Sequence, residues 1–270
     1  YVTGQFAGST EVLLGHYYGL SNELLTVLEC ITSKVSAGTT LTYTYGQLPF
    51  NENVNPIDWA TGHAKSVDAR VVEMGVSPDV EGEEGASVAS AYKGDRIEQD
   101  LPAPQQDFLR KIREDNDRPV ILVLTGGSPI TTPELEELAD AILFAWYPGQ
   151  QGGAAVADVI FGDHNPSGRL PITFPMSTDQ LPPYEDYSMA GRTYKYMTEK
   201  PWFPFGYGLS FTSFEYAKPE LSSGSVKSGD ALEVTVKVRK TGEKDGREIV
   251  QLYITSEDAE FDVPQSSLIG

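Results

Sequence analysis

The stretch GVSPDVEGEEGAS, residues 75–87, places Glu81, Glu83 and Glu84 within four residues, directly after the apolar run RVVEMGV. Neighbouring negative charges raise the pKa of a carboxyl group and favour one that must hold a proton near neutral pH. Glycoside hydrolysis uses such a group. A carboxylic acid protonates the leaving oxygen while a second carboxylate works on the other side of the anomeric carbon. On the residues alone two readings stand: a solvated acidic loop, as clustered surface glutamates usually are, and a loop that carries a proton donor.

Other chemistries find less support. TGGSP (125–129) follows an apolar run and GQQGG (149–153) opens a helical one, places where backbone amides bind anions. Neither matches G-x-x-x-x-G-K-[ST] or G-x-G-x-x-G, so both read as tight turns. No G-x-S-x-G elbow is present, Ser128 precedes a proline, and His164 lies in the turn-like GDHNPSG, which argues against a Ser-His-Asp hydrolase. His16, His63 and His164 are widely separated and Cys30 is the only cysteine, so neither a metal site nor an internal disulfide is expected. No cofactor is implied.

Composition bounds the partners. Twenty basic against 39 acidic residues leave a net charge of −19, which repels phosphate backbones and anionic lipid. Nucleic-acid and membrane binding are therefore not expected, and neutral ligands such as sugars suit the surface. No apolar run approaches a membrane span. The chain opens inside the apolar, Gly-containing YVTGQFAGS, which reads as a fragment of a longer protein.

The acidic loop must be positioned by the elements around it. Residues 21–35 read as an amphipathic helix capped by Ser21, with Leu24, Leu25, Leu28 and Ile31 on one face. RVVEMGV, PVILVLT (119–125) and AILFAWY (141–147) read as buried strands, and RLPITF as a shorter one. Between them LPAPQQDFLRKIRED, a short helix opened by Thr132-Pro133, and GQQGGAAVADVIFG ending at Gly162 read as helices. Alternating strands and helices predict an α/β layered sandwich on a mainly parallel sheet, with ligands where strands end. The acidic loop follows a strand and so lies in the right kind of place.

After about residue 210 the pattern changes. ALEVTVKVRK alternates strictly and REIVQLYIT supplies a second strand, the signature of an antiparallel β-sandwich. The expected division is an α/β sandwich over 1–176, an ordered aromatic and Pro-rich connection over 177–210, and an incomplete fibronectin type III-like β-sandwich over 211–270.

Several strings together carry a resemblance. GVSPDVEGEEGAS…KGDRIEQDLPAPQQDFLRKI, PVILVLTGGSPI, ADAILFAWYPGQQGGAAVADVIFGDHNPSGRLPITFP and GRTYKYMTEKPWFPFGYGLSFTSF resemble the C-terminal part of a glycoside hydrolase family 3 enzyme. The tail from Asp245 resembles that family's fibronectin type III-like domain. The resemblance implies retaining, exo-acting hydrolysis of β-glucosides or β-xylosides, with no cofactor. It implies that a (β/α)8 barrel carries the nucleophilic aspartate and that the α/β domain lends a glutamate as acid/base. Glu83 fits that role best, with Glu81 and Glu84 as second choices. Asp95 and Arg96 match the Asp-Arg pair that follows, read here as an ion pair pinning the loop. LLGHYYG (13–19) resembles the loop lining the leaving-group subsite, which makes Tyr17 and Tyr18 candidates for sugar contact.

Such a chain is expected to hold half an active site, inactive without the barrel. It is also expected to self-associate or meet a barrel partner through the face left open. A non-catalytic carbohydrate-binding or assembly module is the reading from another class. The resemblance implies a periplasmic or secreted protein; the lack of disulfides permits the cytoplasm as well.

Overall fold

The computed structural model describes residues 1–52, 58–82, 94, 96–256 and 262–270. In chain order its first elements are β1 (Val2–Thr3), α1 (Val27–Lys34), β2 (Tyr43–Thr44), α2 (Trp59–Ala64), β3 (Arg70–Gly75) and α3 (Pro78–Glu81). They are followed by α4 (Ala103–Arg113), β4 (Val120–Thr125), α5 (Leu135–Leu138), β5 (Ala141–Trp146) and α6 (Gly152–Phe161). The five strands form one parallel sheet in the order β2-β1-β3-β4-β5, as the alternation of strand and helix predicts.

Successive side chains of a strand point to opposite faces, and here both faces are covered. Val72, Met74, Leu122 and Leu124 pack against Phe108, Leu109 and Ile112 of α4. Val2, Val71 and Val123 pack on the other side with Val27 and Ile31 of α1 and with Val156 and Ala157 of α6. Apolar demand on both faces is why β4 reads as an unbroken hydrophobic run rather than an alternating one.

Several sequence expectations are corrected. Ser21 does not cap the first helix. Thr26 does, in a capping box where Glu29 N donates to Thr26 Oγ1 and Thr26 N donates to Glu29 Oε2. Residues 21–25 stay outside the helix because Leu25 pairs with the turn before α6, its N donating to Gln150 O and its carbonyl accepting from Gly153 N. The helix after Thr132-Pro133 begins two residues later, at Leu135. RLPITF forms no strand. Pro171 has no amide to donate to a ladder, and only an isolated bridge, Phe174 to Phe203, is made.

That bridge belongs to an aromatic cover over edge strand β5. Phe174 and Trp202 enter the core, and Phe174 stacks edge-on against Phe144 and Trp146 at 5.2 and 6.1 Å between ring centroids. A short helix, α7 (Thr193–Tyr196), lies within the same crossing segment.

Beyond it lie β6 (Phe214–Tyr216), β7 (Glu220–Leu221), β8 (Val234–Thr235), β9 (Val238–Lys240), β10 (Tyr253–Ile254) and β11 (Ser267–Leu268). They pair antiparallel as β6-β9, β7-β8 and β10-β11. ALEVTVKVRK is thus two short strands, because β8 takes β7 as partner and β9 takes β6. This region is latched to the α/β layers through NPSGR. Asn165 Nδ2 donates to Asp245 O at 2.9 Å, and Asn165 Oδ1 accepts from Ser210 Oγ and Phe211 N. Arg169 Nη2 donates to Glu248 Oε2 at 2.8 Å, with the two side chains only 12% and 17% exposed.

Both the nearly buried seam pair and a buried glutamate bear on stability. Removing one member of the seam pair strands the other, so Glu248→Ala lowers unfolding stability by about 2 kcal/mol; a urea midpoint equal to wild type refutes this. The buried glutamate is Glu73 on β3, whose Oε2 has no partner. Burial raises its pKa from 4.5 to about 8, so the native state keeps a proton that the unfolded chain releases. Stability therefore falls as pH rises through that window, by about 1.4 kcal/mol per unit, and levels off above it. Glu73→Gln removes this slope, read as a flatter melting temperature between pH 5 and 8.

Candidate active site

Because the five strands are parallel, the loops leaving their C-terminal ends gather on one rim, where ligands of such sheets bind. Four of these loops enclose a cleft of about 540 Å³. The loop after β1 brings Gly15, His16 and Tyr17; the turn after β3 brings Glu81; Gly127 follows β4; Tyr147 follows β5.

Glu81 is placed by a single helical turn. Gln105, fully buried on α4, grips the end of β3 by accepting from Gly75 N at 2.8 Å and donating to Gly75 O at 2.7 Å. The chain then turns at Ser77-Pro78, with proline pre-set for a first helical turn, and Glu81 N donates to Ser77 O at 2.8 Å. Val80 is buried, which leaves Glu81 directed at the cleft with its side chain 17% exposed.

Tyr147 meets it from β5. The register slips between Leu124 and Thr125, so that Leu124 faces Phe144 but Thr125 faces Trp146. Trp146 takes the left-handed conformation, φ 58°, a strained state for an aromatic residue that its neighbours must hold. Phe144 packs against the Trp146 ring at 4.4 Å between centroids and Phe174 braces it. The chain turns as a result, and the Tyr147 hydroxyl donates to Glu81 Oε2 at 2.5 Å. Burial, and then the adjacent Glu81, drive the Tyr147 pKa far upward, so the hydroxyl remains a donor.

Two glycines make room for this contact. A Cβ on Gly127 would stand 3.0 Å from both Glu81 oxygens and 3.1 Å from the Tyr147 ring. One on Gly15 would strike the same ring at 2.8 Å. His16 Nε2 lies 3.4 Å from Glu81 Oε2, and its ring meets Tyr147 edge-on at 6.5 Å. Arg96 adds positive charge nearby. Burial lowers its pKa, while Glu81, Asp100 and Tyr147 favour its charged form, and Arg96 Nη2 donates to Asp100 O.

Of the residues singled out in the sequence, Glu81 and Tyr17 line the cleft, Tyr17 at 86% exposure. Tyr18 is 61% exposed and is not among the residues lining the cleft. Glu83, Glu84 and Asp95 lie outside the described residues. His16 and Tyr147 were not singled out for this site. The available signal was Pro148-Gly149, which marks an abrupt turn directly after Tyr147. Chemically, the arrangement offers a carboxyl group with one oxygen engaged by a permanent donor, an exposed aromatic ring beside it, and an open face.

The model of the glycosyl hydrolase family 3 C-terminal domain matches residues 1–211. A xylan 1,4-beta-xylosidase from Xylanibacter ruminicola is 45% identical over 207 residues, covering 76% of this chain and 24% of the relative. A periplasmic beta-glucosidase from Salmonella typhimurium is 32% identical over 295 residues, covering 100% of this chain and 38% of the relative. Among solved structures, a β-glucosidase from Erythrobacter marinus superimposes with a TM-score of 0.81 at 31% identity, covering 100% of this chain and 38% of that one. An exo-β-xylosidase solved with a xylobiose aziridine probe gives 0.81 at 25% identity, covering 100% of this chain and 37% of that one. The chain thus spans about a quarter to two fifths of the length of these relatives. Among the described residues no helix is long and apolar enough to cross a membrane.

Proposed function

Since the chain belongs to glycoside hydrolase family 3, as its C-terminal domain, we propose that it supplies the acid/base half of a site hydrolysing β-glucosides or β-xylosides. Glu81 is the proton donor in this reading. The observation that carries it is the placement of the Glu81 carboxyl in an open cleft on the rim of the parallel sheet, with one oxygen occupied by Tyr147. The second oxygen then delivers the proton to the glycosidic oxygen as the bond to the anomeric carbon breaks. The same carboxylate, once ionised, takes a proton from the water that releases the sugar.

A retaining site needs a nucleophilic carboxylate about 5–5.5 Å from the acid/base. We assign it to a barrel domain outside these residues, so that the cleft is closed from the opposite side. Tyr17, on the cleft wall and 86% exposed, offers a ring face to the leaving-group sugar. Tyr18 lies off the cleft lining and takes a lesser part. The relatives include both a xylosidase and glucosidases, so the sugar preference is left to the barrel side. By analogy with the periplasmic relative, the protein works outside the cytoplasm.

The test compares Glu81→Gln, Glu83→Gln and Glu84→Gln in the complete polypeptide with its barrel. An acid/base variant loses turnover of a disaccharide by roughly 10²–10⁴-fold yet keeps most of its kcat/KM on 2,4-dinitrophenyl glycosides, whose leaving group needs no proton, while kcat there falls because the attacking water lacks its base. Azide restores the missing step and yields a glycosyl azide. This signature is expected for Glu81→Gln; finding it only for Glu83→Gln or Glu84→Gln transfers the role to that residue. Residues 1–270 alone are expected to turn over neither substrate, and substantial turnover by them overturns the half-site reading.

A further inference from the structure

The geometry points to Tyr147 as the positioning residue that fixes which oxygen of Glu81 carries the catalytic proton. The inference rests on Glu81 as proton donor and goes beyond it. A carboxylic acid has two equivalent oxygens and a free rotor, and a donor that presents the wrong one wastes its encounters. Here the Tyr147 hydroxyl donates to Oε2 at 2.5 Å, and Gly127 sits against both oxygens from the β4 side. The proton of the neutral acid is thereby confined to Oε1.

Tyr147 stays protonated across the working pH range, because burial and the neighbouring carboxylate oppose its ionisation. It therefore donates to Oε2 both when Glu81 is an acid and when it is a base, and the side chain keeps its orientation through both halves of the reaction. Tyr147 itself exchanges no proton with substrate.

The backbone is built for this contact. The extra residue in β5, Ala145, lets Thr125 pair with Trp146, and the left-handed Trp146 turns the chain so that the tyrosine returns over Gly127. Phe144 and Phe174 hold that conformation from the core side, and Gly15 admits the ring from the other. Strain kept in place by packing next to a functional carboxyl is the expected mark of a positioning device.

The experiment uses Tyr147→Phe in the complete polypeptide, which keeps the ring and removes only the hydroxyl. Loss of a hydrogen bond to a charged group predicts kcat on xylobiose or cellobiose reduced by roughly 10–100-fold, with KM little changed. On the dinitrophenyl glycoside kcat/KM, which reports the step that needs no proton, should lose less than about 3-fold. Gly127→Ala, whose new methyl presses on the pair with the tyrosine intact, should give the same leaving-group-dependent loss, and it serves if Tyr147→Phe does not fold. Equal losses on both substrates, or none, overturn the inference. Failure of Glu81→Gln to show the leaving-group signature overturns the proton-donor reading and this inference with it. The signature at Glu81→Gln without any at Tyr147→Phe or Gly127→Ala removes the Tyr147 role alone.

Discussion

Parallel backbone pairing is the constraint on which the rest of the molecule depends. With β1, β3, β4 and β5 all running one way, every return path must cross a face of the sheet, and every outgoing loop must leave from the same rim. The crossings are the helices that bury both faces. The outgoing loops gather on that rim, and four of them meet around Glu81. No single loop builds this cleft. Glu81 and Tyr147 are 66 positions apart in sequence and become neighbours because β3 and β5 flank the same strand, β4.

The same fact explains what could be read in the sequence. β4 was legible because a strand buried on both faces leaves an unbroken apolar run, β3 because its short apolar stretches run into the Gly- and Pro-containing turn, and α4 and α6 because helical spacing and end residues mark them. The first helix was placed too early because Ser21 and Thr26 are both good caps. The choice between them is made by a backbone pairing with Gln150 and Gly153 that no local pattern encodes. ALEVTVKVRK shows its alternation faithfully, but alternation is silent about partners, and two different ones divide it. At the site, the acidic loop announced itself by composition, whereas Tyr147 looked like the end of a core strand. Its placement against Glu81 depends on a one-residue bulge and a positive φ at Trp146, neither of which has a compositional signature.

The seam with the antiparallel region follows a different logic. Its contacts are polar and specific: Asn165 reads two backbone groups and a hydroxyl, and Arg169 meets Glu248 in a nearly dry setting. Such a pair gives little net stability over apolar packing but fixes orientation strictly. NPSGRLP is therefore both the end of the α/β layers and the socket for what comes next, which accounts for a polar, Pro- and Gly-rich string where a strand was expected.

Glu73 on β3 and Glu81 on the turn that follows it show what the rim adds. Glu73 points into the sheet, where no donor reaches Oε2, and burial keeps it neutral up to about pH 8. A group so placed cannot exchange its proton with a substrate it never meets. Glu81, one strand end further along, has a donor on one oxygen, a cleft before the other, and partial access to solvent. The side chains are chemically identical. What separates a sealed acid from one that faces an open cleft is the turn at Ser77-Pro78, which carries the chain from β3 to the rim of the sheet, and the tyrosine that the bulge in β5 sends to meet it.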